Sequence, residues 1–137
     1  MKDPVFGEME YDFQWQKEED IELWGKTYSV QIVAQSEDDD DTEISQVQRD
    51  AYVFFKSNFA SLAESGMESI LSYCVEDLGL SNCTRVDFLA NSIPTTVFFA
   101  LSGAWGILFD TTYSQEDGIA LMYSDGQWVV DTQDILI

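Results

Sequence analysis

The sequence predicts an α+β fold, in which an antiparallel β-sheet from N- and C-terminal strands carries two central amphipathic α-helices packed on one face. Three observations predict this class. Strand-like patterns occupy both ends of the chain, helical periodicity fills its middle, and hairpin turn sequences join successive strands, which favours antiparallel pairing. The 137 residues are 45 % hydrophobic and 14 % aromatic. That is enough apolar surface for the core of a single domain spanning residues 1–137.

The N-terminal part of the chain contains three strand-like segments, at residues 5–11, 21–24 and 27–34. In the third, apolar and polar residues alternate, which is typical of a strand with one buried face. We expect a tight turn at Gly25-Lys26 between the last two segments.

An acidic run follows the third strand. Consecutive carboxylates repel one another, so a solvated connection is expected here. No register of the run supplies both the Gly and the Glu that a calcium loop needs at its sixth and twelfth positions, so an EF-hand is excluded. The end of the run suits the start of a helix capped by Ser45 or Thr42. The acids of this segment are Glu37, Asp38, Asp39, Asp40, Asp41 and Glu43.

Two amphipathic helices are predicted in the middle of the chain, because apolar residues recur at spacings of three and four. The first covers residues 44–62, and the second covers residues 67–78 and ends at Gly79. Ser65-Gly66 is expected to break or kink the path between them. Residues 80–94 suit a short helix or an irregular crossover. The apolar positions of the first stripe are Ile44, Val47, Ala51, Phe54, Phe55, Phe59 and Leu62.

Strand signals return after Pro94. The segments 95–101, 106–113, 119–123 and 128–130 are rich in β-branched and aromatic residues, which favour strands. Residues 115–118 are expected to form a turn. The sequence Ser124-Asp125-Gly126-Gln127 is typical of a type I′ hairpin.

Composition excludes several kinds of function. The chain has no His, so Ser-His, Cys-His and His-metal centres are excluded. With 26 acidic and 6 basic residues the net charge is −20, which opposes direct binding to nucleic acid or to anionic membranes. No segment approaches the roughly 20 apolar residues of a membrane span, and no signal sequence is recognised, so a cytoplasmic location is expected.

Carboxylates also lie near several strand ends, but no pair stands out as a catalytic acid and base. We therefore expect neither an enzyme nor a cofactor or metal site. The thiols of Cys74 and Cys83 are expected to stay reduced in the cytoplasm.

The charge is unevenly distributed along the chain. Fourteen acids and three lysines precede Ile44, five acids and three basic residues lie from Ile44 to Arg85, and seven acids and no basic residue follow. Such a field steers a basic protein partner toward the acidic parts of the surface. A protein interface is therefore the function that the charge pattern favours.

The sequence resembles a small bacterial domain family of immunity proteins from polymorphic toxin and contact-dependent growth inhibition systems. The resemblance spans most of the chain, and its motifs are structural rather than catalytic. At residues 113–118 this chain has YSQEDG where the family pattern has Trp-Asp-x-Glu-His-Gly, so any role of that His is absent here. The segments that carry the resemblance are DPVFGEMEYD (3–12), IELWGKTY (21–28), QRDAY (48–52) with Phe55, GILFD (106–110), GIAL (118–121) and QDIL (133–136).

The resemblance implies a cytoplasmic immunity protein that binds a cognate basic toxin of the nuclease type and occludes its active site. From charge density, we expect the contacts in the acidic run and at the turn acids Glu116, Asp117 and Asp125, with Trp15 or Trp105 as aromatic anchors. The alternative is an acidic nucleic-acid mimic that inhibits a DNA- or RNA-binding enzyme.

Overall fold

The computed structural model describes residues 2–36 and 43–136. Two helices and nine strands are found in these residues, and a 3₁₀ turn (Gln133–Ile135) follows the last strand. The elements in chain order are β1 (Lys2–Asp3), β2 (Gly7–Glu8), β3 (Glu10–Asp12), β4 (Gln14–Leu23), β5 (Lys26–Ala34), α1 (Gln46–Glu76), α2 (Arg85–Asn91), β6 (Ser92–Phe99), β7 (Trp105–Thr111), β8 (Ile119–Ser124) and β9 (Gln127–Asp131).

Seven strands of the described part of the chain form one sheet in the order β3-β4-β5-β6-β7-β8-β9, and β1 pairs with β2 separately. The α+β class and a mostly antiparallel sheet are therefore confirmed. One pair departs from the prediction, because β5 and β6 run parallel, with Gln31 opposite Thr96. A parallel pair needs a long crossover connection, and the segment that contains both helices supplies it.

The N-terminal strands differ in extent from the predicted ones. The predicted strand at 5–11 is divided between β2 and β3, and β4 begins seven residues before the predicted position 21. Leu23 pairs with Lys26, so the turn is Trp24-Gly25, one residue earlier than expected. Both turn residues have positive φ, 52° at Trp24 and 82° at Gly25, as a type I′ turn requires.

The helical middle of the chain is one long helix rather than two. Helix α1 runs for 31 residues without a break, so the predicted interruption at Ser65-Gly66 is wrong. A Cβ atom at Gly66 would lie 2.9 Å from Leu121 Cδ2 and 3.3 Å from Trp128 Cε2. The glycine therefore allows α1 to approach β8 and β9 closely. No helix within residues 2–36 and 43–136 is long and apolar enough to cross a membrane.

Both helices begin at a residue with a clear local cause. Ser45 caps α1, and its side chain forms a reciprocal capping box with Gln48. The short helix considered for residues 80–94 is α2, which Thr84 and Asp87 cap in the same way.

The side chains of the sheet contribute to two apolar clusters. The larger contains residues from α1 and α2, such as Phe55 and Phe88, together with Ile32, Val97 and Ile107 of the sheet. The smaller contains strand residues of the opposite alternation, packed with Leu136 after the 3₁₀ turn. Its buried members are Phe98, Leu108, Ala120 and Leu136.

Candidate partner-binding surface

A groove of about 330 Å³ opens where the N-terminal part of α1 passes one end of the sheet. Three parts of the chain line it: α1, the connection between β6 and β7, and the β8–β9 hairpin. Because loops and helix termini meet here, side chains from distant parts of the sequence converge on one surface. We call this surface the aromatic groove and define it by Val47, Asp50, Phe54, Gly103, Trp105, Tyr123 and Asp125.

Gln48 fixes the rotation of α1 beside the groove. Its Nε2 atom donates to the backbone carbonyls of Gln35 at 2.8 Å and Phe99 at 3.0 Å, which lie at the ends of β5 and β6. Its Oε1 atom accepts from the backbone amide of Ser45 at 3.0 Å. The amide is fully buried, and these partners satisfy it on both sides.

The buried face of α1 is consequently different from the predicted stripe. Gln48, Tyr52 and Phe55 point inward, whereas Val47 and Phe54, both placed in the core by the sequence pattern, are 50 % and 37 % exposed. The prediction for these two residues is wrong, because the pattern counts apolar side chains and misses a buried amide that bonds to backbone carbonyls. Their exposure gives the groove its apolar wall.

Aromatic rings form the floor of the groove. Phe54 stacks on Tyr123 with ring centroids 5.5 Å apart and an interplanar angle of 21°. Trp105 lies beneath, 5.5 Å from the Tyr123 ring, and Trp128 meets Tyr123 edge to face at 4.8 Å. Because these rings are already held on several sides, they lose little conformational entropy when a ligand binds.

Two backbone features place the rims of the groove. Gly103 has φ +96°, and a Cβ atom there would lie 2.6 Å from Val47 Cγ1. The β6–β7 connection can therefore approach α1 only with glycine at this position. On the other side, Asp125 and Gly126 have φ values of 53° and 78°, which confirms the predicted hairpin turn and places Asp125 beside the rings.

The electrostatics of the surface follow from where the cations lie. All six basic residues are in the described part of the chain, and four of them form ion pairs with the chain's own acids. Lys26 lies over the Tyr28 ring. Among the residues that the structure describes, Asp50 and Asp125 line the groove and no basic residue does. The four pairs are Lys17–Glu19, Lys56–Glu19, Arg49–Asp3 and Arg85–Glu64.

The network around Glu19 joins β4 to α1. Glu19 binds Lys56 at 2.9 Å and accepts a hydrogen bond from the Tyr52 hydroxyl at 2.7 Å, while Lys17 donates to that hydroxyl at 3.1 Å. Burial raises the pKa of Glu19, but hydrogen bonds from Lys56, Tyr52 and Lys17 outweigh it, and the pKa lies below its usual value. Burial, and next the hydrogen bond to Glu19, raise the pKa of Tyr52. Glu19 therefore stays ionised and Tyr52 stays protonated at neutral pH, and the network keeps two of the cations occupied.

Asp3 holds Arg49 on the side of α1 next to Asp50. The Asp3 side chain is fully buried and lies 2.7 Å from Arg49 Nη2. It also accepts from the backbone amides of Val5 and Phe6, both at 2.9 Å. Burial raises the pKa of Asp3, but the hydrogen bonds from Arg49 and from these two amides outweigh it, so the pKa is lowered. Arg49 is therefore committed to Asp3.

The predicted contact residues occupy different parts of the molecule. Asp125 lines the groove, and Glu43 is exposed just before the cap of α1. Glu116 and Asp117 are exposed in the β7–β8 connection. That connection and Asp125 lie at opposite ends of β7, about 20 Å apart at the usual rise per residue. Glu37, Asp38, Asp39, Asp40 and Asp41 lie outside the described residues.

The two predicted aromatic anchors are core residues. Trp15 is 6 % exposed on β4, where it packs edge to face against Tyr11. Trp105 is 2 % exposed. Neither ring offers surface to a partner, which corrects their assignment as anchors. Trp105 instead supports Phe54 and Tyr123 from below.

Sequence reasoning missed five residues of the groove: Val47, Asp50, Phe54, Gly103 and Tyr123. One signal was available, because adjacent helix residues lie about 100° apart, so Phe54 and Phe55 cannot both point to the centre of the buried face. No sequence signal indicates that Asp50 and Asp125 share a surface. Among the described residues, no cluster of Asp, Glu or Cys is suited to hold a metal ion.

A family described as "Domain of unknown function (DUF6985)" matches residues 5–90. The chain belongs to this family. The DUF6985 segment contains β3, β4, β5 and both helices apart from the last residue of α2, and it ends before β6. It therefore supplies the α1 side of the groove but neither the β6–β7 connection nor the β8–β9 hairpin. No curated protein and no solved structure is significantly similar to the chain.

Proposed function

We propose that this DUF6985 protein is a cytoplasmic immunity protein that binds a cognate, basic, nuclease-type bacterial toxin and occludes its active site. The observation that carries the proposal is the internal pairing of the cations. Lys17, Arg49, Lys56 and Arg85 pair with acids of this chain, so four of the six basic residues are already engaged and the exposed carboxylates elsewhere outnumber the remaining cations. A nuclease cleft must be basic to hold phosphates, and a blocking protein of opposite charge binds it quickly.

The arrangement of the fold supports a preformed binding surface. We propose that both helices cover the same face of the sheet. Phe55 of α1 and Phe88 of α2 belong to one apolar cluster, whereas Phe98 and Leu108 belong to the other. The sheet and the helix then form a rigid support for the groove. A rigid binding surface loses little entropy on association.

The test begins with affinity capture. The tagged chain is used as bait in a lysate of the bacterium that encodes it, at low ionic strength, where surface charges are least screened. An unrelated protein of similar net charge serves as the control bait. Each protein captured by the chain alone is then expressed in a second bacterium, with and without the chain.

The expected result is one basic protein that stops growth when expressed alone and that is harmless when co-expressed with the chain. The proposal fails if repeated captures give no toxic partner, or if co-expression does not restore growth. Capture of several unrelated nucleic-acid-binding enzymes would contradict it too, since that is the behaviour of a nucleic-acid mimic.

A further inference from the structure

We infer that the aromatic groove receives an arginine side chain from the protein partner, with the guanidinium group against the Phe54–Tyr123 rings and between the carboxylates of Asp50 and Asp125. The inference rests on the proposed function, since it names the chemistry by which the partner is recognised. The proposed arginine contact lies at one end of the sheet. Glu116 and Asp117 lie at the other end of β7 and take no part in it.

The first argument is the exposure of apolar surface at this site. Val47 and Phe54 are 50 % and 37 % exposed on a helix whose other face is buried. The Phe54 and Tyr123 rings are stacked, 5.5 Å apart. The face of a ring that points away from the stack carries the negative part of the ring quadrupole, and it attracts a cation within about 6 Å of the ring centre.

The second argument is charge complementarity. Asp50 and Asp125 line the groove with the rings, and within residues 2–36 and 43–136 no basic side chain joins them. The neighbouring cation, Arg49, is held by Asp3 at 2.7 Å. A ligand that brings a positive charge therefore meets two carboxylates that this chain does not neutralise within the groove.

The third argument distinguishes arginine from lysine. A guanidinium is planar and weakly hydrated, so it stacks on an aromatic face while its N–H groups reach carboxylates at the edge. An ammonium group is compact and strongly hydrated, and it gains less from a flat aromatic floor. The groove offers rings and carboxylates together, which is the combination that a guanidinium uses.

The experiment uses the full chain and two short capped peptides, Gly-Ser-Arg-Ser-Gly and its lysine counterpart. Each peptide carries a single positive charge, so multivalent attraction to an acidic protein does not contribute. Titrations are followed by NMR through the aromatic signals of Phe54 and Tyr123. A peptide with leucine at the central position measures apolar binding alone.

The critical variant is Asp50→Asn with Asp125→Asn. Asn can still accept the hydrogen bond that Gln46 Nε2 donates to the residue at position 50, and Asn tolerates the positive φ at position 125. The matched control, Glu116→Gln with Asp117→Asn, removes the same charge at the other end of β7. Circular dichroism checks that both variants are folded.

We expect the arginine peptide to shift the ring signals and to bind about threefold more tightly than the lysine peptide. The groove variant should weaken arginine binding about fivefold, while the control variant leaves it nearly unchanged. Equal weakening in both variants would show only general attraction to an acidic surface and would overturn the inference. Equal binding of the lysine or leucine peptide would overturn it as well, as would ring shifts that depend on protein concentration without peptide, which indicate a second copy in the groove.

The outcomes separate the inference from the proposed function. A toxin that is captured and neutralised equally well by the groove variant leaves the immunity proposal standing and refutes the arginine contact. Arginine binding in the groove, with no toxic partner captured, would support the arginine contact and refute the immunity proposal.

Discussion

Replacing Gly66 by Ala should destabilise the protein, although the same change stabilises most helices. In an exposed helix, Gly→Ala gains about 1 kcal/mol from helix propensity. Gly66, however, faces the sheet, and its new methyl group would lie 2.9 Å from Leu121 Cδ2. An ordinary carbon–carbon contact is about 3.5–4.0 Å, so the Leu121 methyl must move by about 0.6 Å or more.

Little room is available for that movement. Leu121 is fully buried. On the other side the methyl group would lie 3.3 Å from Trp128 Cε2, and the Trp128 ring is held by a 3.0 Å hydrogen bond from its Nε1 to Ser65 Oγ. Overpacking of a close-packed core costs about 1–3 kcal/mol. Subtracting the propensity gain leaves a loss of about 1 kcal/mol in the free energy of unfolding.

Urea unfolding of four proteins tests this reasoning: the wild type, Gly66→Ala, Leu121→Val and the double variant. Valine has no Cδ2 atom, so the shortest contact of the methyl group at position 66 is removed and only the 3.3 Å approach to Trp128 Cε2 remains. We expect Gly66→Ala to lower the free energy of unfolding in the wild-type background and to raise it in the Leu121→Val background. A stabilising effect in the wild-type background, or equal effects in both, would refute the close-approach explanation.

Three further changes test other parts of the structure. Gln48→Ala should cost about 3 kcal/mol in urea unfolding, since it removes the side-chain hydrogen bonds to the carbonyls of Gln35 and Phe99 and weakens the helix cap, whereas the exposed control Gln46→Ala should change stability by less than about 0.5 kcal/mol. Asp3→Asn should cost about 2 kcal/mol at pH 7. The pKa of Asp3 is lowered in the fold from 3.8, so the carboxylate stabilises the fold fully above that pH. Its advantage over Asn should disappear as the pH falls through the folded pKa. A difference in unfolding free energy between the two proteins that stays constant down to acid pH would contradict this. Burial, and next Cys83, raise the pKa of the Cys74 thiol to about 12, so alkylation of Cys74 at pH 8 should be slow in the native protein and rapid in urea, as followed by mass spectrometry.

Local sequence signals predicted the elements whose cause is local. The alternation in β5, the capping residue Ser45 and the Asp125-Gly126 turn each depend on a few neighbouring residues, and the structure confirms all three. The start of β4 was missed because its first residues are mostly polar and show little apolar alternation. Its pairing with β5 extends back to Trp15, so tertiary context overrides the weak local signal.

The wrong predictions involve contacts between residues far apart in sequence. Gly66 was taken as a helix break because its partner, Leu121, cannot be identified from the helix sequence. Val47 and Phe54 were wrongly placed in the core. The rotation of α1 depends on the hydrogen bonds of Gln48 to two distant carbonyls, and the helix sequence does not reveal those bonds. Of the groove residues, only Asp125 and Trp105 were predicted as partner contacts, and each for its own local pattern. The convergence of α1 with the hairpin depends on sheet order, which no spacing in the sequence encodes.

The parallel pairing of β5 with β6 determines how the edge of the DUF6985 segment is covered in this chain. The DUF6985 match stops at residue 90, and β6 begins at Ser92. Within the matched residues β5 pairs with β4 on one side and has no partner on the other. The missing hydrogen bonds come from the segment that follows the match. An open, apolar strand edge invites aggregation. In this chain the matched segment therefore leaves one edge of the sheet open, and β6, which lies outside the match, covers that edge.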